Sequence, residues 1–186
     1  MKSKLSNMIL ALGGITLVAA LAVAGVYELT KAPISAALET KTNQAIADVL
    51  PEFDNNPSAE KIAFAAGTDT LFVYPATTSG ELVGYAIETK SSGFGGEMKL
   101  MVGITAEGTI HKISVLSQVE TPGLGDKIEP TKSNFSIQFQ GQSPQTMKMQ
   151  VKKDGGDVDA ITASTISSRA YVDAVNLAFE IYNELK

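Results

Sequence analysis

The sequence predicts an α+β protein: an N-terminal transmembrane helix, then an antiparallel sheet framed by helices before and after it. Three observations carry this prediction. No charged residue occurs between Leu5 and Tyr27, and the run Met8–Tyr27 is dominated by Ile, Leu, Val, Ala and Gly. Behind it, several short segments alternate apolar and polar residues, most clearly Leu82–Thr89, which is the period of a half-buried strand. The final residues, 167–185, return to helical spacing, with Ala170, Ala174, Val175, Ala178, Phe179 and Tyr182 along one face.

Taken in order, residues 1–7 form a short N-terminus and 8–27 the span. Twenty residues at helical rise cover a bilayer's hydrocarbon core. A cleaved secretory signal also starts with Lys and an apolar run. This run is longer than a signal core and passes without a break into further helical pattern, so a retained anchor is expected. Lys2, Lys4 and the terminal amine precede the span, whereas Glu28 and Lys31 after it are mixed in sign. The positive-inside bias therefore places residues 1–7 in the cytoplasm and the rest outside it, as a single-pass protein.

Residues 28–57 are expected to be a connecting helix and a turn. Pro33 suits a first-turn position, and Ile34, Ala37, Leu38, Ala45, Ile46, Val49 and Leu50 recur at helical spacing, which directs that helix onto the sheet. Pro51 and Asp54-Asn55-Asn56-Pro57 end it. Residues 58–186 form the domain. Its predicted strands are Lys61–Ala65, Thr70–Tyr74, Glu81–Lys90, Met98–Thr105, Thr109–Leu116, Phe135–Phe139 and Thr146–Lys152, with Ala106-Glu107-Gly108 as a hairpin turn.

Composition excludes several chemistries. With no cysteine there is no disulfide, no thiolate-held iron–sulfur cluster and no Cys nucleophile. His111 is the only histidine, so multi-histidine metal sites are excluded; its place after Gly108-Thr109-Ile110 reads as a strand residue. Net charge is −5 and the longest basic run is Lys152-Lys153, so no nucleic acid partner is expected.

Two glycine-rich loops interrupt the strands, Ser91–Gly96 and Glu120–Gly125. Glycine permits positive φ and close backbone approach, which suits a phosphate or a flat ring. Neither loop matches a phosphate-binding Walker loop or a dinucleotide fingerprint, and either one alone reads as a loop with turn requirements. Glu120, Asp126 and Lys127 by themselves read as solvated charges. The segment Asp159–Ala170 carries the hydroxyls Thr162, Ser164, Thr165, Ser167 and Ser168 just ahead of the last helix. One helix cap needs one or two of them.

Together, Gly93-Phe94-Gly95-Gly96, Leu100–Ile104, Glu120-Thr121-Pro122-Gly123-Leu124-Gly125 and Asp159–Ala170, in this order, resemble the covalent FMN-binding domain family. The anchor, the short length and Val49–Pro57 make the chain most similar to the G subunits of Rnf-type complexes. The resemblance implies FMN carried by a phosphoester on Thr165, the last residue of Thr162-Ala163-Ser164-Thr165. It implies further cofactor contacts from Gly95, Gly96, Glu120, Thr121, Gly123, Leu124 and Gly125.

Ala163 stands where the family has Gly, and Ser164 where it has Ala. If that glycine position requires positive φ, Ala163 is placed in an unfavourable conformation. The implied function is that of an electron carrier, without catalysis of its own, in an ion-translocating ferredoxin–NAD oxidoreductase of the inner membrane. Its implied partners are the other subunits of that complex, the membrane and a flavin transferase that matures it; its C-terminal domain would be periplasmic. The related C subunit of sodium-pumping NADH–quinone reductases shares the motif. A membrane-anchored interaction domain without flavin is the reading from a different class.

Overall fold

The structure is a computed structural model, which describes residues 4–66 and 69–186. Lys2, used above for orientation, lies outside the described residues. Helix α1 runs from Leu5 to Val49 without interruption. Over residues 4–41 nearly every side chain is exposed, and this helix is long and apolar enough to cross a membrane. The chain divides into two compact units, Met1–Lys41 and Thr42–Lys186.

One expectation is corrected at once. Pro33 does not open a second helix but sits inside α1. It lacks an N–H and costs one intrahelical bond there. Its neighbours Leu29, Lys31, Ala32, Ala36, Ala37 and Leu38 are good helix formers, and they carry the helix through the gap. The helix ends at Val49 because Leu50, the residue before Pro51, is disfavoured in the α region.

Within the second unit, five strands form an antiparallel meander in the order β1-β2-β3-β4-β5: Ile62–Ala66, Asp69–Thr78, Glu81–Ser92, Glu97–Thr105 and Ile110–Ser117. Helix α2, Thr165–Glu184, closes the chain. The middle of the sheet is set by Ile87↔Val102, Glu88↔Met101 and Thr89↔Leu100. Successive residues in a strand face opposite sides, so a strand buried on both faces reads as a continuous apolar run. Strand β4 does this: Leu100, Val102 and Ile104 join one core, and Met101 joins the other.

The larger core holds Leu71, Val73, Ile87 and Ile113 from the sheet against Tyr171, Ala174, Val175, Ala178 and Ile181 of α2. The smaller core lies on the opposite face, where Ala45, Ile46, Val49 and Leu50 meet Tyr74, Ala76, Ala86 and Met101. Gly103 makes that contact possible. A Cβ on it would lie 1.8 Å from the Val49 carbonyl oxygen, so the end of α1 rests directly on the bare backbone of β4.

Two predicted strands are not strands. Phe135–Phe139 is a 3-10 helix. Phe135 and Phe139, at the two ends of this helix, both pack on Tyr171, with ring centroids 5.2 and 5.4 Å away. Gln138 satisfies the backbone of Asp159 from the same turn, donating to its oxygen and accepting from its nitrogen. Thr146–Lys152 is irregular, with turns onto Ser143, one isolated bridge between Val151 and Val158, and a 3-10 turn at Lys152–Asp154. Met149 and Val151 do point inward, which produces the alternation, but no neighbouring strand pairs with the segment.

Substituting Gly103→Ala is expected to destabilise the full-length protein in detergent by about 1–3 kcal/mol through overpacking. Thermal unfolding followed by circular dichroism checks it. An unchanged melting temperature would show that the end of α1 yields freely.

Candidate functional site

Three segments converge beside the sheet: the loop between β3 and β4, the loop after β5, and the first turn of α2. The first loop is short because β3 and β4 remain paired out to Ser92↔Glu97, and Gly93 N–H closes it onto the Gly96 oxygen at 2.8 Å. The second loop leaves β5 through Gln118 and is folded on itself, with Leu124 N–H and Asp126 N–H both directed at the Thr121 oxygen. The third is set by a turn in which Ser164 N–H reaches the Ile161 oxygen at 3.0 Å.

Glu120 links all three. Only 5% exposed, it accepts Gly95 N–H at 3.1 Å on Oε1 and the Ser167 hydroxyl at 2.5 Å on Oε2. Its own N–H donates to Gln118 Oε1. The glycines are shaped to this carboxylate. A Cβ on Gly93 would come within 2.0 Å of Glu120 Oε1, and one on Gly125 within 2.5 Å of Oε2. A Cβ on Gly95 would strike the Val119 oxygen at 2.1 Å. Glu120 is therefore not a solvated charge, and neither is Asp126, which is buried with Oδ2 on Lys132 at 3.1 Å.

Over this clamp lies a cleft of about 380 Å³, within the size range of small-molecule sites. Ala163, Ser164, Thr165, Ile166 and Ser167 form one wall; Glu120, Thr121, Leu124 and Gly125 form another, and Phe94 overhangs it. Of the residues singled out from the sequence, Ala163, Ser164, Thr165, Glu120, Thr121, Leu124 and Gly125 thus line one cavity. Gly95 and Gly96 stand behind it against Glu120 and Val119. Gly123 turns with φ +76° in open space, and Thr162 is exposed outside the cleft. Arg169 points elsewhere, into a two-pronged pair with Asp154 at 2.6 Å for each bond, which holds that carboxyl below the usual carboxylate range.

Sequence reasoning does not reach Phe94, Ile166 and Ser167 as site residues. Phe94 carries a signal: an aromatic between glycines, here 69% exposed, has no core to join. Ser167 carries none, since its partner Glu120 is 47 residues away.

The start of α2 adds polarity to this apolar cleft. Ser164 is the N-cap residue, yet its side chain makes no capping bond. The first N–H groups of α2, from Thr165 onward, have no intrahelical acceptor, and the helix dipole favours an anion beside them. Ala163 has φ +62°, the left-handed conformation that favours glycine. A negatively charged head group at the helix start and a flat apolar body against Phe94, Leu124 and Ile166 fit these walls.

Residues 93–180, the stretch that builds the cleft, match the family model of the FMN-binding domain. The G subunit of the ion-translocating oxidoreductase complex from Shewanella piezotolerans is 38% identical over all of this chain and 92% of that protein. The chain belongs to this G-subunit family. The Shewanella amazonensis G subunit is 37% identical, covering 94% of this chain and 86% of the relative. That of Vibrio cholerae is 38% identical over 87% and 82%. Among solved structures, NqrC of Shewanella oneidensis aligns with a TM-score of 0.48 at 18% identity, covering 68% of this chain and 69% of that one.

For a G subunit with this cleft, Glu120→Ala is expected to cost about 1–3 kcal/mol, because Gly95 N–H and the Ser167 hydroxyl both lose their acceptor. Glu120→Gln, which keeps one acceptor oxygen, should lose less. Melting temperatures of the two flavin-free variants check the order; equal losses would count against the clamp.

Proposed function

We propose that this protein is a membrane-anchored electron carrier that holds FMN as a phosphoester on Thr165. It would serve an Rnf-type, ion-translocating ferredoxin–NAD oxidoreductase. The carrying observation concerns hydroxyls. Within the segment Thr162–Ser168, Thr165 alone combines partial exposure, a place in the cleft wall and a hydroxyl with no hydrogen bond among the described residues; Thr121, the other such hydroxyl on the cleft wall, belongs to the loop after β5 and not to the start of α2. Ser167 and Ser168 are buried and hydrogen-bonded, Thr162 lies outside the cleft, and Ser164 is only 7% exposed.

Attachment requires an activated donor, since direct esterification by FMN would release water in water. With a flavin dinucleotide as donor, Thr165 Oγ1 attacks the flavin-side phosphorus and a new O–P bond forms. The P–O–P bond breaks, a nucleoside monophosphate leaves, and the hydroxyl proton passes to a base. The carboxylate that lines the cleft, Glu120, is already engaged by Gly95 N–H and the Ser167 hydroxyl, which supports a base supplied by a separate flavin transferase. The free N–H groups at the start of α2 would hold the phosphate of a group carried on Thr165.

When bound, FMN supplies reversible electron transfer; the chain supplies attachment, orientation and exclusion of water. Phe94, Leu124 and Ile166 form the apolar walls, while Glu120 fixes both loops to α2. The other subunits of the complex are the proposed electron donor and acceptor. Lys4 before the span and the mixed flank after it support a cytoplasmic N-terminus and a periplasmic domain. A covalent tether suits that side, where a dissociated flavin would be lost by dilution.

Denaturing gel electrophoresis with flavin fluorescence tests this in cells that contain the transferase. The wild-type band should fluoresce, Thr165→Ala should lose essentially all signal, and Ser164→Ala should keep it. A dark wild-type band refutes covalent attachment. Loss with Ser164→Ala instead of Thr165→Ala moves the acceptor to Ser164.

A further inference from the structure

The turn that presents Thr165 contains a residue poorly suited to it. Ala163 has φ +62°, a region that the Cβ of an L-residue disfavours by roughly tenfold. Glycine would adopt it freely. A compensating contact must select this conformation, and one buried hydroxyl is placed to do so.

Ser168, fully buried one turn into α2, accepts the Ile161 N–H on its Oγ at 2.9 Å. The same Oγ donates to the Ser164 oxygen, also at 2.9 Å. Donation by a helical serine to the carbonyl four residues back is common and by itself says little. Accepting an N–H from seven residues back is different, because it ties the residue before the turn to the helix after it. With Ser164 N–H on the Ile161 oxygen and Ser168 N–H on the Ser164 oxygen, both at 3.0 Å, residues 161–164 are closed by a ring of bonds. Ala163 lies inside that ring and Thr165 immediately beyond it.

We propose that Ser168 is a positioning residue: its hydroxyl closes the 161–164 turn, holds Ala163 at positive φ, and so presents Thr165 to the flavin donor. The inference rests on the reading that Thr165 carries FMN. In this chain the clamp substitutes for glycine's freedom, so its importance depends on Ala163. Restoring glycine makes the hydroxyl dispensable.

The test is a double-mutant cycle on the full-length, flavin-free protein: wild type, Ser168→Ala, Ala163→Gly and the double variant. Each is loaded in vitro by a flavin transferase with a flavin dinucleotide, and amide exchange is followed at Ile161 and Ser164. Losing the two hydrogen bonds of the Ser168 hydroxyl should slow loading of Ser168→Ala by about tenfold and speed exchange at both amides. The double variant should load within about twofold of Ala163→Gly. Wild-type loading by Ser168→Ala, or a tenfold loss that persists in the glycine background, overturns the proposal. If Ser168→Ala does not fold, the double variant against Ala163→Gly alone decides by the same criterion. If the wild type takes no flavin, the attachment reading fails on its own. The exchange data then judge the clamp: faster exchange reversed by glycine supports it, and unchanged exchange overturns it.

Discussion

A buried carboxylate organises this site. Taking a carboxylate out of water is costly unless its oxygens find donors, and Glu120 finds them in two other segments, Gly95 N–H and the Ser167 hydroxyl. The β3–β4 loop, the loop after β5 and the start of α2 therefore cannot move independently without exposing or stranding a charge. This also changes the meaning of the glycines. Gly93, Gly95 and Gly125 are bare because side chains there would strike Glu120 or the backbone beside it. They make room for the protein's own carboxylate. Gly123 differs, with positive φ and nothing near it.

The clamp can be tight because α2 is held by something larger. Its inner face, from Ala170 to Tyr182, is buried against the sheet and against Phe135 and Phe139. Apolar burial fixes the helix axis and rotation, and its uncapped first turn is thereby aimed into the cleft. A site at the end of a packed helix is positioned more firmly than one on loops alone. The loops then need only be tied to that fixed end.

The sheet was legible because its cue is local. Alternation along β3 and the apolar run Leu100–Ile104 of β4 state which faces are covered, and from β2 onward short turns connect consecutive strands. The failures share a cause. Phe135–Phe139 and Thr146–Lys152 place inward-facing residues at spacings that a strand also produces, and only the lack of a pairing neighbour separates the cases. At the site, Thr165 and the Glu120–Gly125 loop could be named from motif resemblance. Burial of Glu120 and its bond to Ser167 could not, since they arise only when distant segments close together. Burial of Asp126 escapes the sequence for the same reason.

The altered motif before Thr165 becomes intelligible on this scale of energies. Holding Ala163 at φ +62° costs about 1–2 kcal/mol. Each buried side chain on the inner face of α2 contributes a comparable or larger amount, about 1.5–3 kcal/mol for a fully buried Val or Ile. Burial of α2 therefore fixes where the helix begins, and the bonds of Ser168 to Ile161 and Ser164 hold the turn residue against its local preference. Ser164 follows the same logic. A hydroxyl at an N-cap ordinarily bonds to the first turn, but here the backbone of Ser164 is already engaged by Ile161 and Ser168 and its side chain makes no cap. The orphan donors of α2 are left facing the cleft. A change that looks like damage to a motif leaves the feature an anion needs, an uncapped helix start, in place.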